Sequence, residues 1–559
     1  METMFCDLSK CEPASALTRR MKNGHWRMID YETDEMRGTM LIAGEETWAP
    51  EVRLKLGLEG WHAIYLGLYG TGYTQFPSRV KLSGDACFRE LVRDRPNAHS
   101  LEEAFFKNAD LTGQDLVIAQ RLHEPGTVNS LAYVRCVKLS DEELAVWQKE
   151  RERTDTRRLV VYNDGVSIFS DPSPRTEDEI WQEIEPFADS DVKVFCYGIP
   201  GDHSFFPTRI GVVEGSIDED YLSRSDRISA ASVQTLIDKG INPVKTAADY
   251  AHRIGLEFHL YYRMETFTSQ PPGDYATYER MVGKHPEWRC VNRNGRSMAH
   301  MSYAYPDVRD FVVSMLEEAA PWGADGVNLY YKRGAPFVMY EEPLIEGFKD
   351  RYEEDPREID EFDERWLQYR SGPLTEFMRQ LRERMDDIGK AAGKRIVITA
   401  GSFATEAENV FYGLDLPLWI EEGLVDYLAP MGDVHGCPEI DVDYYAGLVK
   451  GTACKFYPQL PVRYRYKTPA GCVKGAHKYY AAGADGLSFW DCPHRQPLMF
   501  QTFRRLGHVD DLDPACEEPE PKTIPLRVLG HVDLRDGHIP LDYERVGKVW
   551  SLHYIYHAH

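Results

Sequence analysis

The sequence predicts an α/β chain: a (β/α)8 TIM barrel with an N-terminal β-sandwich domain and a short C-terminal β-extension. Three observations carry this. From Arg158 onward, eight short apolar runs alternate with helical segments, the pattern of a parallel sheet covered by helices. Residues 1–150 instead read as all-β, with period-two runs between Gly and Asp turns. The entries to the fourth and eighth runs share wording, GADGVNLYYK and GADGLSFWDC, half a barrel apart.

In the first region Glu51–Leu58 alternates apolar and polar residues, and Trp61–Tyr69 follows across Glu59-Gly60 as a hairpin-like partner. Further strands are expected at 79–82, 115–120 and 131–138. Trp48, Trp61 and Tyr73 are the candidate sugar platforms of this sandwich, against the plainer reading of a scaffold. A charged helical linker spans 141–158, and the barrel occupies 155–510. Its strands are expected at 159–163, 192–197, 256–263, 326–331, 395–400, 426–430, 455–460 and 486–490. Helices are expected at 177–188, 232–254, 306–320, about 360–392 and 469–482. An open doubly wound sheet would want a glycine-rich phosphate loop after its first strand, and Asn163-Asp-Gly-Val-Ser-Ile is not one. Residues 511–559 read as an acidic, proline-rich linker and a β-extension packed on the N-terminal domain.

Composition narrows the function classes. A chain of 559 residues needs two or three domains, and 43% hydrophobic content excludes a disordered one. The net charge of −25 argues against nucleic acid or an anionic membrane surface as partner. Eleven scattered cysteines show no CxxC pair and no zinc spacing, so reduced thiols in a cytoplasmic protein are expected. The N-terminal stretch has no signal-peptide core, and no apolar run is long enough to span a membrane. The acidic surface and the extra β-domain leave room for a homodimer.

In a barrel of this kind the reacting groups sit past the carboxyl ends of the strands. There the sequence places Asp164, Asp202, His203, Tyr262, Arg263, Glu265, Asn328, Tyr330, Lys332, Arg333, Glu341, Glu342, Asp433, His435, Trp490 and Asp491. Carboxylates, aromatics and guanidinium groups, without a Ser-His-Asp arrangement, suit glycosidic-bond chemistry. One carboxyl protonates the leaving oxygen, a second attacks or activates water, and aromatics stack on sugar faces. Glu341 is the expected acid/base, with Asp433 or Glu265 as second carboxyl and Asp491 behind them. Asp164, His203, Tyr262, Arg263, Asn328, Tyr330, Lys332, Arg333, Glu342, Trp490 and Asp491 are the expected substrate contacts. Plainer roles compete: Asp164 or Asp491 as caps, Glu265 paired with Arg263 or Lys332, and the Glu341-Glu342 pair as a helix start.

Several stretches carry a resemblance: His285-Pro-Glu-Trp288, Asn294-Gly295, 302–309, 324–333, Tyr340-Glu-Glu-Pro343, Asp355-Pro-Arg357 and 363–370. Over roughly 155–510 the chain resembles the family-10-like, glycosyl-hydrolase-related TIM-barrel proteins of bacteria, which carry a β-sandwich in front. The resemblance implies a glycoside hydrolase acting on an oligosaccharide or glycoside, with no cofactor and no metal. Such barrels often end the fourth strand in a carboxylate, DGxxxD; here Tyr330 stands at that place and Asn328 two before it. Strand seven lacks the nucleophilic Glu of the largest retaining clan. Two other readings stay open. One is a metal-dependent sugar isomerase, epimerase or lyase using Glu265, Asp433, His203 and His435. The other is an inactive glycan-binding barrel.

Overall fold

The computed structural model describes residues 2–44, 46–70, 77–94, 100–120, 128–201, 203–216, 223–264, 274–332, 334–432, 438–462, 465–490 and 494–530. These fall into two compact units. One comprises residues 2–154, 494–503 and 518–530, the other residues 155–490 and 504–517.

The larger unit is built on eight strands: β1 (Leu159–Asn163), β2 (Val192–Gly198), β3 (Glu257–Arg263), β4 (Gly326–Tyr330), β5 (Val397–Gly401), β6 (Tyr427–Leu428), β7 (Lys455–Phe456) and β8 (Leu487–Trp490). All neighbours pair in parallel, in the order β7-β6-β5-β4-β3-β2-β1-β8. The sheet curls, and its two ends meet at a parallel bridge between Gln459 and Ser488. There the Leu460 amide donates to the Ser488 carbonyl at 2.9 Å and the Ser488 amide to the Pro458 carbonyl at 3.0 Å. This is an eight-stranded parallel curled sheet of the TIM-barrel kind. Continuous apolar runs such as Leu159-Val-Val-Tyr162 and Val194-Phe-Cys-Tyr197 are what a sheet buried on both faces requires.

Helices separate most strands: α1 (Arg224–Asp238), α2 (Pro243–Arg253), α3 (Pro306–Ala319), α4 (Glu342–Tyr352), α5 (Glu364–Ala392), α6 (Val442–Val449) and α7 (Pro469–Ala481). The single helix expected over 232–254 is two helices. Gly240 takes a φ of 73°, and the Asn242 side chain caps a new start with Pro243 at its first position. The helix expected at 177–188 likewise shortens to Glu177–Trp181 followed by a 3-10 turn carrying Pro186.

One device recurs where even-numbered strands begin. Asp325, just before β4, donates its amide to the Phe258 carbonyl of β3 at 2.7 Å and accepts the Phe258 amide on its carboxylate at 2.8 Å. Asp426, before β6, does the same to Ile398 of β5, at 2.8 Å in both directions. Asp485, before β8, grips Phe456 of β7 at 2.9 Å in both directions. Asp191, before β2, holds instead the returning segment, accepting the Gly507 amide at 2.9 Å and His508 Nδ1 at 2.7 Å. Each clamp also takes basic partners: His252 and Lys394 on Asp325, Arg382 and Arg395 on Asp426, Lys455 on Asp485.

The smaller unit holds three mainly antiparallel sheets around a shared core that includes Trp26, Leu41, Leu54, Ile64, Leu66, Val80, Phe106, Leu116 and Val134. Strands at Trp26–Glu32, Arg37–Ala43 and Ser100–Asp110 join those expected. The hairpin expected across Glu59-Gly60 does not form. Val52–Lys55 pairs with Asp115–Ala119 in one sheet, and Trp61–Leu68 pairs with Ser100–Asp110 and Tyr133–Lys138 in another. Gly57 and Gly60, both left-handed, carry the chain between them. Lys522–Pro525 adds to Ser100–Asp110, and Arg527–Val528 to Trp26–Glu32. The turn expected at 535–538 lies outside the described residues. Burial pushes the Cys11, Cys136 and Cys454 thiols up to about 12, so these three are packing groups rather than nucleophiles. No described helix is long and apolar enough to cross a membrane.

Burial alone would raise the Asp325 pKa, but Lys394, the Phe258 amide and His252 together hold it below the ordinary aspartate range. Asp325→Asn is therefore expected to cost about 1–3 kcal/mol at pH 7, measured by urea unfolding. A depressed folded pKa contributes stability that is present above the unfolded value and lost as pH falls through the folded one. The gap between native and variant should accordingly narrow below about pH 4. A gap that stays constant from pH 7 to pH 3 refutes the charge as its source.

Candidate functional site

At the carboxyl ends of the strands four aromatic rings converge inside the sheet. Tyr162 lies one residue before the end of β1, Tyr261 lies in β3, and Tyr330 and Trp490 end β4 and β8. Alternation along each strand aims them inward. Tyr330 and Trp490 stack with centroids 5.1 Å apart and planes 18° from parallel. Tyr261 meets both edge-on, at 5.2 Å and 5.5 Å. Beneath them Asn328 is wholly buried and donates Nδ2 to the Tyr162 hydroxyl at 2.5 Å, while its Oδ1 has no partner among the described residues.

Charged groups frame this cluster. The Arg263 guanidinium lies 5.4 Å from the centre of the Trp490 ring and 3.5 Å from Asp164 Oδ2. The other Asp164 oxygen accepts the amides of Val166 at 3.0 Å and Ser167 at 2.8 Å, and the Ser167 hydroxyl at 2.7 Å. Asp164 thus caps the turn and holds Arg263 at once. Gly165 is required here: with a φ of 66°, a Cβ at this position would fall 1.9 Å from the Gly198 carbonyl oxygen. Lys332, past β4, lies 5.3 Å from the centre of the Phe403 ring and pairs with Glu408 at 3.5 Å. Glu408 was not among the sequence candidates. Its signal was the capping box Thr405-x-x-Glu408, which the structure forms.

His203, after β2, pairs through Nε2 with the buried Glu214 and packs at 4.9 Å against Phe205. Glu214 was missed because nothing in Val212-Val-Glu214 marks it as a partner. Among the described residues no three His, Cys, Asp or Glu side chains gather as a metal site would require. Glu265, Arg333, Asp433, His435 and Asp491 lie outside the described residues, as do Asp202 and Tyr73. The described chain nevertheless ends at their thresholds: Met264 and Gly432 are buried, and Trp490 belongs to the ring cluster.

Three expected contacts stand elsewhere. Tyr262 is wholly buried and, one residue on from Tyr261 in a strand, points to the opposite face of the sheet. Glu342 is exposed in the first turn of α4, where it favours the helix dipole. Glu341, the expected acid/base, precedes α4 with no exposed surface. Its Oε1 accepts the Val291 amide at 3.1 Å and its Oε2 the Met339 amide at 2.8 Å. Burial raises its pKa, and the Met339, Glu341 and Val291 amides and the Ser302 hydroxyl draw it partly back. Such a carboxylate ties the Arg289–Val291 strand to the start of α4, and an outside solute does not meet it.

Residues 218–432 match the family described as Glycosyl hydrolase-like 10. That stretch contains α1–α5 and β3–β6, so this part of the TIM-type sheet carries a glycoside-hydrolase-like sequence. No curated protein sequence matches. Among solved structures the chain is similar to a ruminal GH26 endo-β-1,4-mannanase, at 8% identity and TM-score 0.32, covering 92% of this chain and 97% of that one. It is similar also to the Thermus thermophilus α-galactosidase TtGalA, at 12% identity and TM-score 0.33, covering 86% and 94%. The Ipomoea carnea chitinase ICChI follows at 10% identity and TM-score 0.31, covering 62% and 99%.

Replacing Glu341 tests its structural part directly. Glu341→Ala leaves two buried amides without an acceptor and is expected to cost about 2–5 kcal/mol of folding stability, read by chemical denaturation. Native-like stability in this variant would contradict the role.

Proposed function

We propose that the chain is a glycoside hydrolase that cleaves a glycosidic bond in a cleft at the carboxyl ends of β1–β8. One observation carries the reading: the Tyr330–Trp490 stack, flanked by the Arg263–Asp164 pair, sits where this architecture keeps its chemistry. An indole face beside a guanidinium and a carboxylate suits a ring that is apolar above and hydroxylated around its edge. The family match over residues 218–432 supports the same class.

In this proposal the reacting carboxyls are Glu265 and Asp433, one and two positions in sequence beyond the buried Met264 and Met431, which follow β3 and β6. One protonates the leaving glycosidic oxygen; the other attacks the anomeric carbon or takes a proton from the attacking water. Asp491, next to Trp490, is the reserve for either role. Tyr330, standing where related barrels carry a carboxylate, supports the sugar rather than attacking it. Arg263 and Lys332 orient substrate; Asn328, an expected contact but wholly buried beneath the rings, instead holds the Tyr162 hydroxyl, and Glu341 holds the wall behind them.

Aryl glycosides and oligosaccharides presented to the native chain, Glu265→Gln and Asp433→Asn test the assignment. Loss of a catalytic carboxyl is expected to lower kcat by about 10²–10⁴-fold with folding unchanged. Unaltered turnover in both variants removes them from the mechanism, and no turnover by the native chain on any substrate removes the hydrolase reading. In the same assay Trp490→Ala is expected to raise KM by about tenfold while changing kcat less, the mark of lost ground-state stacking.

A further inference from the structure

In the smaller unit Trp48 departs from the other described tryptophans. It is 45% exposed, and its φ is +52°, a left-handed conformation that a bulky residue rarely adopts. The surrounding structure holds it there. Gln120, almost wholly buried, accepts the Ala49 amide on Oε1 at 2.9 Å and donates Nε2 to the Gly44 carbonyl at 2.6 Å. The Thr47 amide donates to Gly44 at 3.1 Å, the Gly24 amide donates to Thr47 at 2.5 Å, and the Trp26 indole donates to Pro50 at 2.8 Å. The backbone on both sides of Trp48 is thus pinned by interior groups, and the turn carries the indole at the surface.

The neighbourhood of the indole is also specific. Met21 is 54% exposed, and its Sδ lies 3.8 Å from the Thr47 hydroxyl, so a second apolar group borders the same turn. Along the chain from Met21, Lys22 Nζ lies 3.3 Å from His25 Nε2, and His25 Nδ1 2.9 Å from the Asn23 carbonyl. Trp61, the other expected platform in the described chain, is taken up by Trp147 at 5.1 Å. An exposed indole on a pinned turn that an exposed methionine also borders matches the apolar C–H face of a pyranose.

We propose that Trp48 and Met21 form a stacking platform for a pyranose ring of a neutral polysaccharide, holding the chain on its polymer independently of catalysis in the barrel. Charges of both signs lie beside the two residues in sequence, Arg20 and Lys22 at Met21 and Glu46 and Glu51 near Trp48, so no single-sign field favours a polyanionic chain over a neutral one. The strained backbone is the cost of presenting the ring outward, since the same turn with glycine at position 48 would be relaxed.

The test is affinity electrophoresis and pull-down of the full chain with amylose, galactomannan, cellulose and chitin, with polygalacturonate as the anionic comparison. The native chain is expected to be retarded by at least one neutral polymer. Trp48→Ala should weaken that retention about tenfold or more, and Trp48→Phe should keep most of it. Trp48→Gly, which suits the left-handed backbone, should melt no lower than the native chain and still lose retention, separating loss of the ring from loss of folding. Equal retention by native and Trp48→Ala overturns the proposal, as does no retention of the native chain on any neutral polymer. A native dimer that Trp48→Ala converts to monomer, with no saccharide retention, overturns it in favour of a protein interface.

Discussion

The larger unit depends on aspartates that stand at the entries of alternate strands. Asp325, Asp426 and Asp485 each grip one residue of the preceding strand twice, with their own amide and with their carboxylate. A parallel strand pair has no hairpin to set its register, so something else must choose it. A two-point hold on a single residue does this, because a shift by one residue would break both bonds and turn the inward side chains outward. Since β4, β6 and β8 are set in this way against β3, β5 and β7, the ring cluster at the far end follows.

That register decides which aromatics meet. Asn328 lies opposite Tyr261 on β3 and Thr399 on β5, and Tyr330 opposite Arg263 and Gly401. With those pairings Tyr330 faces inward beneath Trp490, while Leu329 and Tyr331 pack on the other side. The absence of a side chain at Gly401 gives the Tyr330 ring room: a Cβ there would stand 3.2 Å from its Cδ2. Among the described residues the floor here is a packed aromatic layer with Arg263 and Asp164 paired beside it.

Much of this was legible in the residues. The eight strands appear within a few positions of where apolar runs and Gly/Asp turns placed them, because burial on both faces leaves an unmistakable composition. The shared Ala-Asp-Gly wording at β4 and β8 proved to be two of the register clamps. Asp164 as a cap and Glu342 as a helix start also followed from local chemistry. Glu341 did not. Its neighbours in sequence resemble an exposed loop, and only the arrival of the Arg289–Val291 strand, fifty residues earlier, buries it and occupies its oxygens. The false hairpin at Glu59-Gly60 has the same origin, since two adjacent strands with a glycine turn look alike whether they pair or cross to different sheets.

The sequence by itself determined the alternating strand–helix order of the larger unit, the approximate places of its strands, the turn glycines and the inventory of groups at the strand ends, because each rests on period, propensity or capping within a few residues. Tertiary structure alone decided which of those groups share a surface: the Tyr330–Trp490 stack, the Arg263–Asp164 and His203–Glu214 pairs, and the withdrawal of Tyr262 and Glu341 into the wall. The physical reason is that exposure and partnership are set by chain segments tens to hundreds of residues apart, joined only when the sheet curls and its ends meet at Gln459 and Ser488.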